Sequence, residues 1–415
     1  MSGASMRVSS FFLVSWFLAT CAASPAPLPK IVPVVPGETQ PVAPGTRIAQ
    51  ALPQLEILPS IPEVRKVEYA SNGFIEVAHA LVLISDTQPA YMLRKAQQVV
   101  NRVFMARPSL SEVDVSLYRQ DQYAGFGGPL PHFTASVPRA RLEAFERLTP
   151  TNFQSYERLW ANPRDYLYGP FRSPSDDLEI ALHFQGSPAQ LIAQQLEQAA
   201  AALQGGAVGN RFYHGNPALP LAALTFDDAP HPLFAPLLLD TLRRMGVKAT
   251  FFCIGRNALA YPYFVRDMVH EGHEVGNHTF HHVRLNNLDK ARVLMEIQSA
   301  NQLLEGITGR SVRYFRPPGG RFSPTVLEVM RELNMTLVFW TDDPGDFQNL
   351  PEATLESRLD RRLRQGGIVL LHDNVRSTLE ILPNFLRLAE RRGIRLGTVD
   401  DLAQNRLSTT LPPSP

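Results

Sequence analysis

The sequence predicts an α/β protein in which a C-terminal sheet or barrel of parallel strands follows a smaller α+β domain. The chain has 415 residues, which is long for one hydrophobic core and favours two domains. Between residues 65 and 150, strand and helix patterns are mixed without a repeat, whereas from residue 219 short apolar runs alternate regularly with helical stripes. That alternation is typical of parallel strands joined by crossover helices.

The first 23 residues have the pattern of an export signal. One cation, Arg7, precedes an apolar run over residues 11–19 and a few small residues. The run is shorter than the roughly twenty residues that cross a bilayer, so we expect a cleaved signal peptide and an exported protein, either extracellular or in the cell envelope. Cys21 follows Leu18-Ala19-Thr20, which resembles a bacterial lipoprotein processing site, so lipid attachment at Cys21 stays open.

Residues 24–64 contain ten prolines and predict an extended linker. The small α+β domain is expected over residues 65–150. Its predicted strands and helices are, in chain order, Phe74–Ser85, the helix Ala90–Met105, Val113–Tyr118, Phe133–Val137 and the helix Arg139–Leu148. No group of residues in this stretch has the pattern of a catalytic or metal-binding site. We therefore interpret the stretch as an interaction or packing module that could associate with the cell wall or a membrane.

Residues 151–218 are expected to connect the two domains through a helix over Pro188–Leu203, and residues 404–415 to form a disordered tail. The second domain is expected over residues 219–403. Its apolar strand runs are Leu221–Phe226, Ala249–Ile254, Thr336–Trp340 and Ile368–Leu371. Helical stripes separate them, and Ser323-Pro324 begins one of these helices with a capping residue followed by proline. In such a sheet or barrel, chemistry is expected at the C-terminal ends of the strands.

Charge and cysteine content narrow the possible partners. The formal net charge is +1 and no basic stripe is visible, so we expect neither nucleic acid nor a strongly acidic polymer as the partner. The two cysteines, Cys21 and Cys253, provide no disulfide framework. Cys253 lies in the apolar run Thr250–Ile254 and is expected to be a small buried core residue.

Polar residues that follow the predicted strands indicate an active site. Several polar residues come at or just after the end of a predicted strand, so they should face the same open end of the sheet or barrel. They are Asp227-Asp228, Asp342-Asp343 and His372. Between them, five of the eleven histidines fall within thirteen residues. His278 and His282 are four apart, which on one helical turn would place both imidazoles on the same face, and a carboxylate such as Asp228 could complete a metal site with an open position.

Each of these residues also has a structural interpretation. The aspartates could cap a loop, Arg316 could form a surface ion pair, His372 could be a core histidine, and the histidine pair could be solvated. The remaining members of the cluster, His270, His273 and His281, we interpret as structural.

Five short stretches resemble the motifs of the polysaccharide deacetylase family, also called the chitooligosaccharide deacetylase family or carbohydrate esterase family four. They occur in the family's order, and the resemblance covers about residues 219–402. The stretches are Thr225-Phe226-Asp227-Asp228, His278-Thr279-Phe280-His281-His282, Arg316-Pro317-Pro318-Gly319-Gly320, Asp343-Pro344-Gly345-Asp346-Phe347 and Leu370-Leu371-His372-Asp373. The resemblance implies an irregular parallel (β/α) barrel as the catalytic domain, and a hydrolase that cleaves linear amides.

The resemblance also implies roles for individual residues. Asp228, His278 and His282 would bind a divalent metal, usually zinc in the family and sometimes cobalt or another transition metal. Asp227 would be the general base, held ionised by Arg316. His372 would protonate the leaving amine, with Asp343 as its partner.

The same resemblance places other residues at the substrate. The Gly319 N–H would stabilise the oxyanion, and Phe347 and Leu370 would contact the sugar. Three positions depart from the family pattern: Ala229 replaces a usual glycine, Gly319 a common aromatic residue and Phe347 a usual tryptophan. None of these changes removes a ligand or an acid or base, so they affect substrate preference more than activity.

The expected substrate is an N-acetylated glycan containing N-acetylglucosamine, such as peptidoglycan, chitin oligomers or another polymer of this sugar. Export and the linker favour an envelope glycan such as peptidoglycan over a soluble nutrient. Two alternatives stay open. One is an esterase acting on O-acetylated xylan or another polysaccharide. The other is a glycan-binding envelope protein whose deacetylase fold has lost turnover.

Overall fold

The computed structural model describes residues 52–125, 128–162 and 206–404, together with the two isolated positions 196 and 199. The expected signal peptide, Cys21, most of the proline-rich linker, most of the connecting helix and the C-terminal tail lie outside the described residues. Among the described helices, none combines the length and the apolar character needed to span a bilayer.

The first sheet belongs to the small N-terminal domain and has five strands in chain order. The strands are β1 (Val64–Ser71), β2 (Glu76–Ile84), β3 (Glu112–Arg119), β4 (Phe133–Pro138) and β5 (Leu159–Ala161). Only β2 and β3 pair in parallel, because the helix α1 (Pro89–Ala106) crosses between them, and the other pairs are antiparallel. Helix α1 buries residues at helical spacing, among them Leu93, Ala96 and Val100, against this sheet.

This arrangement confirms the predicted α+β class of the N-terminal domain and gives the bounds of its strands and helices. The strand pattern at Phe74–Ser85 corresponds to β2, and the helical pattern at Arg139–Leu148 becomes a 3₁₀ turn followed by the short helix α2 (Leu142–Glu146). The predicted end of the domain at residue 150 is too early, because β5 pairs with β4 and so extends the same sheet to Ala161.

The second sheet has nine strands, and all of its pairs are parallel except β6 with β7. The strands are β6 (Ala207–Val208), β7 (Arg211–Phe212), β8 (Leu221–Ala229), β9 (Thr250–Cys253), β10 (Glu274–Asn277), β11 (Tyr314–Phe315), β12 (Thr336–Val338), β13 (Ile368–His372) and β14 (Arg395–Gly397). Their order is β13-β8-β9-β10-β11-β12-β7-β6, with β14 also paired to β8. A bridge between Asp342, just after β12, and Val369 of β13 joins the two sides of the sheet, so it curls into an irregular barrel.

Helices cover the outside of the barrel. They are α3 (Ala235–Arg244), α4 (Gly255–Ala260), α5 (Pro262–His270), α6 (Lys290–Thr308), α7 (Pro324–Glu332), α8 (Glu352–Arg362), α9 (Arg376–Arg391) and α10 (Val399–Gln404). The predicted cap is present, since Ser323 Oγ accepts a hydrogen bond from Val326 N at the start of α7. All nine residues of β8 are buried, as expected for a central parallel strand. Cys253 of β9 is also buried, in agreement with its interpretation as a core residue.

The N-terminal domain packs against α4 and α5 of the barrel through buried polar contacts. Tyr263 Oη donates to Asp114 Oδ2 at 2.6 Å, and Thr134 Oγ1 donates to the main-chain oxygen of Ala260, also at 2.6 Å. Arg158 pairs with Asp267 at 2.5 Å. Because Asp114 and Thr134 are fully buried, these contacts are shielded from water and fix the two domains in one arrangement.

Candidate active site

The C-terminal strand ends bring the predicted polar residues to one edge of the barrel. Asp227 lies near the end of β8 and pairs in register with His372, the last residue of the neighbouring strand β13. His278 directly follows β10, and Arg316 directly follows β11. The geometry therefore agrees with the expectation that these residues lie at the same end of the barrel.

A local irregularity of β8 lets two consecutive aspartates face the same site. Side chains of adjacent strand residues normally point to opposite faces of a sheet. The register between β8 and β9 shifts between Phe226 and Ala229, and Asp228 has a left-handed backbone with φ of 70°. As a result, Asp227 Oδ2 and Asp228 Oδ1 both approach His278 Nε2, at 3.9 and 3.5 Å.

Asp228, His278 and His282 form a buried triad whose ligand atoms lie within 4.8 Å of one another. Asp228 Oδ1 is 3.5 Å from His278 Nε2 and 3.3 Å from His282 Nε2. This carboxylate oxygen is buried and has no hydrogen-bond partner among the described residues, which is costly unless another ligand occupies the space. Burial also raises the pKa of Asp228, an effect that a bound cation would oppose.

The tautomer of His278 suits metal binding as well. Its Nδ1 is 2.7 Å from the main-chain oxygen of Arg316, and a carbonyl can only accept, so Nδ1 carries the proton. Burial lowers the pKa of His278, which favours the neutral ring. The unprotonated Nε2 is then the nitrogen that faces Asp228, as in histidines oriented for a metal by a carbonyl. The triad thus fits a divalent cation that accepts imidazole and carboxylate ligands.

The two histidines do not lie on a helical turn, which corrects the prediction from their spacing. Residues 278–282 form a loop after β10, in which Thr279 and His282 have left-handed φ angles of 66° and 59°. Glu296 of α6 holds this loop, because its carboxylate accepts from the N–H groups of Phe280 and His281 and contacts His281 Nδ1 at 2.6 Å. His281 is therefore structural, as expected.

Arg316 positions Asp227 through a buried ion pair. Its fully buried guanidinium donates to Asp227 Oδ1 at 2.7 Å, to Thr225 Oγ1 at 2.8 Å and to two main-chain oxygens at the end of β12. Burial alone would raise the pKa of Asp227, but Arg316, together with His278 and His372, outweighs it and the pKa falls below its ordinary value. Asp227 Oδ2 is left facing the triad as an ionised oxygen.

The partner of His372 is Asp346 rather than the predicted Asp343. His372 Nδ1 lies 2.8 Å from Asp346 Oδ1, while Asp346 Oδ2 accepts from the N–H of His372 and from Thr378 Oγ1. Asp343 Oδ1 instead accepts from Gly345 N at 2.8 Å. The left-handed Gly345, with φ of 77°, turns the chain so that Asp346 enters the interior. Asp346 belongs to the stretch recognised in the sequence but was not assigned a role there.

Burial disfavours the cationic form of His372, but the carboxylate of Asp346, with smaller contributions from Asp228 and Asp227, more than compensates and raises the pKa of His372 to about 10. Changing Asp346 to Asn removes that carboxylate, so the pKa of His372 should fall. If His372 is the general acid, the alkaline limb of a kcat/KM–pH profile follows loss of its imidazolium and is expected to move about one to three pH units lower. Asp343→Asn is the matched control. A shift of this size in Asp343→Asn, with none in Asp346→Asn, would contradict the assignment of Asp346 as the partner of His372.

The three residues predicted to contact substrate lie around this site in different environments. Gly319 is exposed and left-handed, with φ of 65°, in the 3₁₀ turn Pro318–Gly320 after Arg316. Phe347 is half-buried, with its ring edge-on to His372 at a centroid distance of 5.2 Å. Leu370 is buried in β13, only 4% exposed, and its N–H donates to Asp342. Their contacts with substrate stay predictions.

Comparisons with known proteins identify the class of protein. The family model described as polysaccharide deacetylase matches residues 214–338. A peptidoglycan-N-acetylglucosamine deacetylase from Bacillus cereus is 35% identical over 187 residues, which are 44% of this chain and 87% of that protein. A chitooligosaccharide deacetylase from Azorhizobium caulinodans is 40% identical over 151 residues, 36% of this chain and 72% of that protein.

A solved structure is also similar: that of a carbohydrate esterase family four pseudoenzyme from Bacillus anthracis is 30% identical with a TM-score of 0.45, over 47% of this chain and 69% of that chain. By its sequence relatives, the protein is a hydrolase of the glycan deacetylase class. The chain belongs to the polysaccharide deacetylase family.

Proposed function

We propose that the protein removes N-acetyl groups from an N-acetylglucosamine-containing polysaccharide of the cell envelope, with peptidoglycan as the preferred substrate. The observation that carries the proposal is the buried triad Asp228, His278 and His282 beside the Arg316-held carboxylate of Asp227. A carboxylate base next to a candidate metal site is suited to hydrolysis of an amide.

We further propose zinc as the metal, since two imidazoles and one carboxylate form a common catalytic zinc set, although cobalt or another transition metal suits the same ligands. When bound, the metal would polarise the acetyl carbonyl and make water acidic enough to attack near neutral pH. Asp228 and the Nε2 atoms of His278 and His282 would hold it.

Asp227 acts as the general base in this proposal. Its Oδ1 is occupied by Arg316, so Oδ2 is the oxygen that accepts the proton of the attacking water. The guanidinium stays in place during this step because Thr225 and two main-chain oxygens also bind it. Arg316 is therefore a positioning residue that keeps Asp227 ionised before attack.

His372 acts as the general acid. Its Nδ1–H is held by Asp346, so Nε2 is the nitrogen that donates a proton to the leaving amine as the C–N bond breaks. Phe347 packs against the imidazole and helps to shield it from water. The N–H of Gly319, an exposed residue, would stabilise the negative charge that develops on the acetyl oxygen.

The choice of substrate rests on the named relatives and on the first residues of the chain. The relatives described above are named as deacetylases of peptidoglycan and of chitooligosaccharides. The export pattern of residues 1–23 favours the envelope glycan. Lipid attachment at Cys21 would hold the enzyme at that glycan, with residues 24–64 as a spacer.

The test is acetate release by the chain without its first 24 residues, in the presence of zinc or cobalt. Substrates are peptidoglycan, N-acetylglucosamine oligomers and O-acetylated xylan, and Asp228→Ala is the control. We expect metal-dependent release from the amino-sugar polymers that is lost in the control, with peptidoglycan turned over faster. Release from xylan alone would replace the proposal with the esterase, and binding without release would replace it with the glycan-binding protein.

A further inference from the structure

A cavity of about 290 Å³ lies between the N-terminal domain and the barrel. Tyr118 at the end of β3 and Tyr123 in the loop that follows form one wall. Pro230, Asn257 and Asn374 of the barrel form the opposite wall. Its volume is close to the lower limit of pockets that hold small organic ligands, roughly 300 Å³, and so suits one sugar ring.

The cavity borders the catalytic edge of the barrel. Pro230 comes two residues after Asp228, and Asn374 comes two residues after His372, so each leaves the end of a strand that supplies the site. Asn257 connects the two regions directly, because its Nδ2 donates to the main-chain oxygen of Asp228 at 3.3 Å. A chain of sugars bound at the metal triad could thus reach the cavity with a neighbouring unit.

The lining of the cavity is aromatic and polar but contains no acidic residue among those described. His79 and His231 also line it, and burial lowers the pKa of each to about 3, so both are neutral at physiological pH. Arg256 is the cationic member, and its Nη2 donates to the main-chain oxygen of Gly128 at 2.6 Å. Such a lining disfavours a cationic ligand and is compatible with a neutral one.

Individual side chains supply the groups that a sugar ring requires. Tyr118 and Tyr123 are half-buried and meet edge to face at 5.1 Å, so an aromatic surface is available to the apolar C–H groups of a pyranose. Asn374 also lines the cavity, and a side-chain amide can both donate and accept hydrogen bonds. Hydroxyl and acetamido groups are suitable partners.

We propose that this interdomain cavity is a subsite for the sugar next to the one that is deacetylated, so that the N-terminal domain contributes to selection of long glycans. The inference rests on the proposed deacetylase function. The two domains are fixed to each other by the buried contacts of Asp114 with Tyr263 and of Thr134 with Ala260, so the subsite is formed before substrate binds.

Tyr123→Ala tests the subsite, with Tyr91→Ala as a matched control. Tyr91 is also a half-buried tyrosine of the N-terminal domain, but it lies on α1 and bonds Glu63. We expect Tyr123→Ala to lower kcat/KM for the N-acetylglucosamine hexamer about threefold to tenfold, as loss of one aromatic contact predicts. The change for the disaccharide should stay below about twofold by the same reasoning, and Tyr123→Phe should restore the hexamer rate.

Binding by calorimetry provides a second readout that does not need turnover. The hexamer and the disaccharide are titrated into Asp227→Asn protein with and without Tyr123→Ala, and only hexamer binding should weaken. Equal losses on both substrates, no loss on either, or the same length-dependent loss in Tyr91→Ala would overturn the subsite. Failure of the parent enzyme to release acetate from any amino-sugar polymer would instead refute the proposed function, while the binding result still decides the subsite.

Discussion

Replacing His282 with alanine is expected to remove the bound metal and to lower turnover by on the order of 10³-fold. His282 Nε2 lies 3.3 Å from Asp228 Oδ1 in the proposed ligand set, so its loss would leave only two of the three proposed protein ligands. A catalytic zinc site normally keeps three. Metal contributes several kcal/mol of transition-state stabilisation, and each 1.36 kcal/mol is about tenfold in rate. Metal content by mass spectrometry after dialysis against zinc gives the occupancy, and acetate release gives the rate.

His273→Ala is the matched control for that experiment. His273 is an equally buried histidine at the opposite end of β10, where its Nδ1 accepts from Ala249 N and its ring packs against Phe251. This variant should keep one equivalent of metal and most of its activity, although its stability will fall. Unchanged zinc content in His282→Ala, or equal loss in both variants, would show that His282 is not a ligand.

The strands that could be predicted from sequence are those with long apolar runs. β8 and β13 are buried along their length and were recognised as parallel strands from composition alone. In contrast, β10 and β11 have four and two residues and lie in no apolar run, whereas the equally short β9 and β12 lie within the predicted runs Ala249–Ile254 and Thr336–Trp340. Short strands of this kind are defined by the pairing of their neighbours, which is information that the local sequence does not contain.

The ligand types of the site were identifiable from motifs, but their geometry was not. The His278–His282 spacing suggested a helical face, whereas convergence depends on left-handed residues in a loop that Glu296 holds from α6. Likewise, Asp343 and Asp346 are both carboxylates in one short stretch. Which of them reaches His372 depends on the turn at Gly345, and spacing alone could not distinguish the two.

The role of the N-terminal domain was the least predictable feature. Its strands were recognised, yet its position depends on contacts such as Tyr263 with Asp114, which join residues 149 positions apart. The cavity with Tyr118 and Tyr123 exists only because of that packing. If the cavity is the proposed subsite, a domain without a chemical motif of its own shapes the substrate site of its neighbour.

Replacing Asp227 with asparagine is expected to reduce kcat about 10²- to 10⁴-fold while leaving metal content unchanged, because it removes a general base and no ligand. Asparagine is isosteric, and its carbonyl oxygen can still accept from Arg316 Nη1, so the guanidinium keeps a partner at this position. Arg316 also retains its bonds to Thr225 and to the main chain, which limits the loss of stability. An alanine would instead leave a buried charge poorly paired, and its effect would mix folding with catalysis.

Asp240→Asn provides the comparison, since Asp240 is likewise a buried aspartate bonded to arginine, Arg244 at 2.8 Å, but lies on α3 away from the catalytic edge. It should keep its turnover and its metal. If Asp227→Asn loses zinc together with activity, Asp227 acts as a ligand rather than as the base. If it keeps both, the proton of the attacking water goes to another group, and the assignment of Oδ2 is wrong. A loss of kcat at full metal occupancy, with KM little changed, is the result that follows from a base acting only in the transition state.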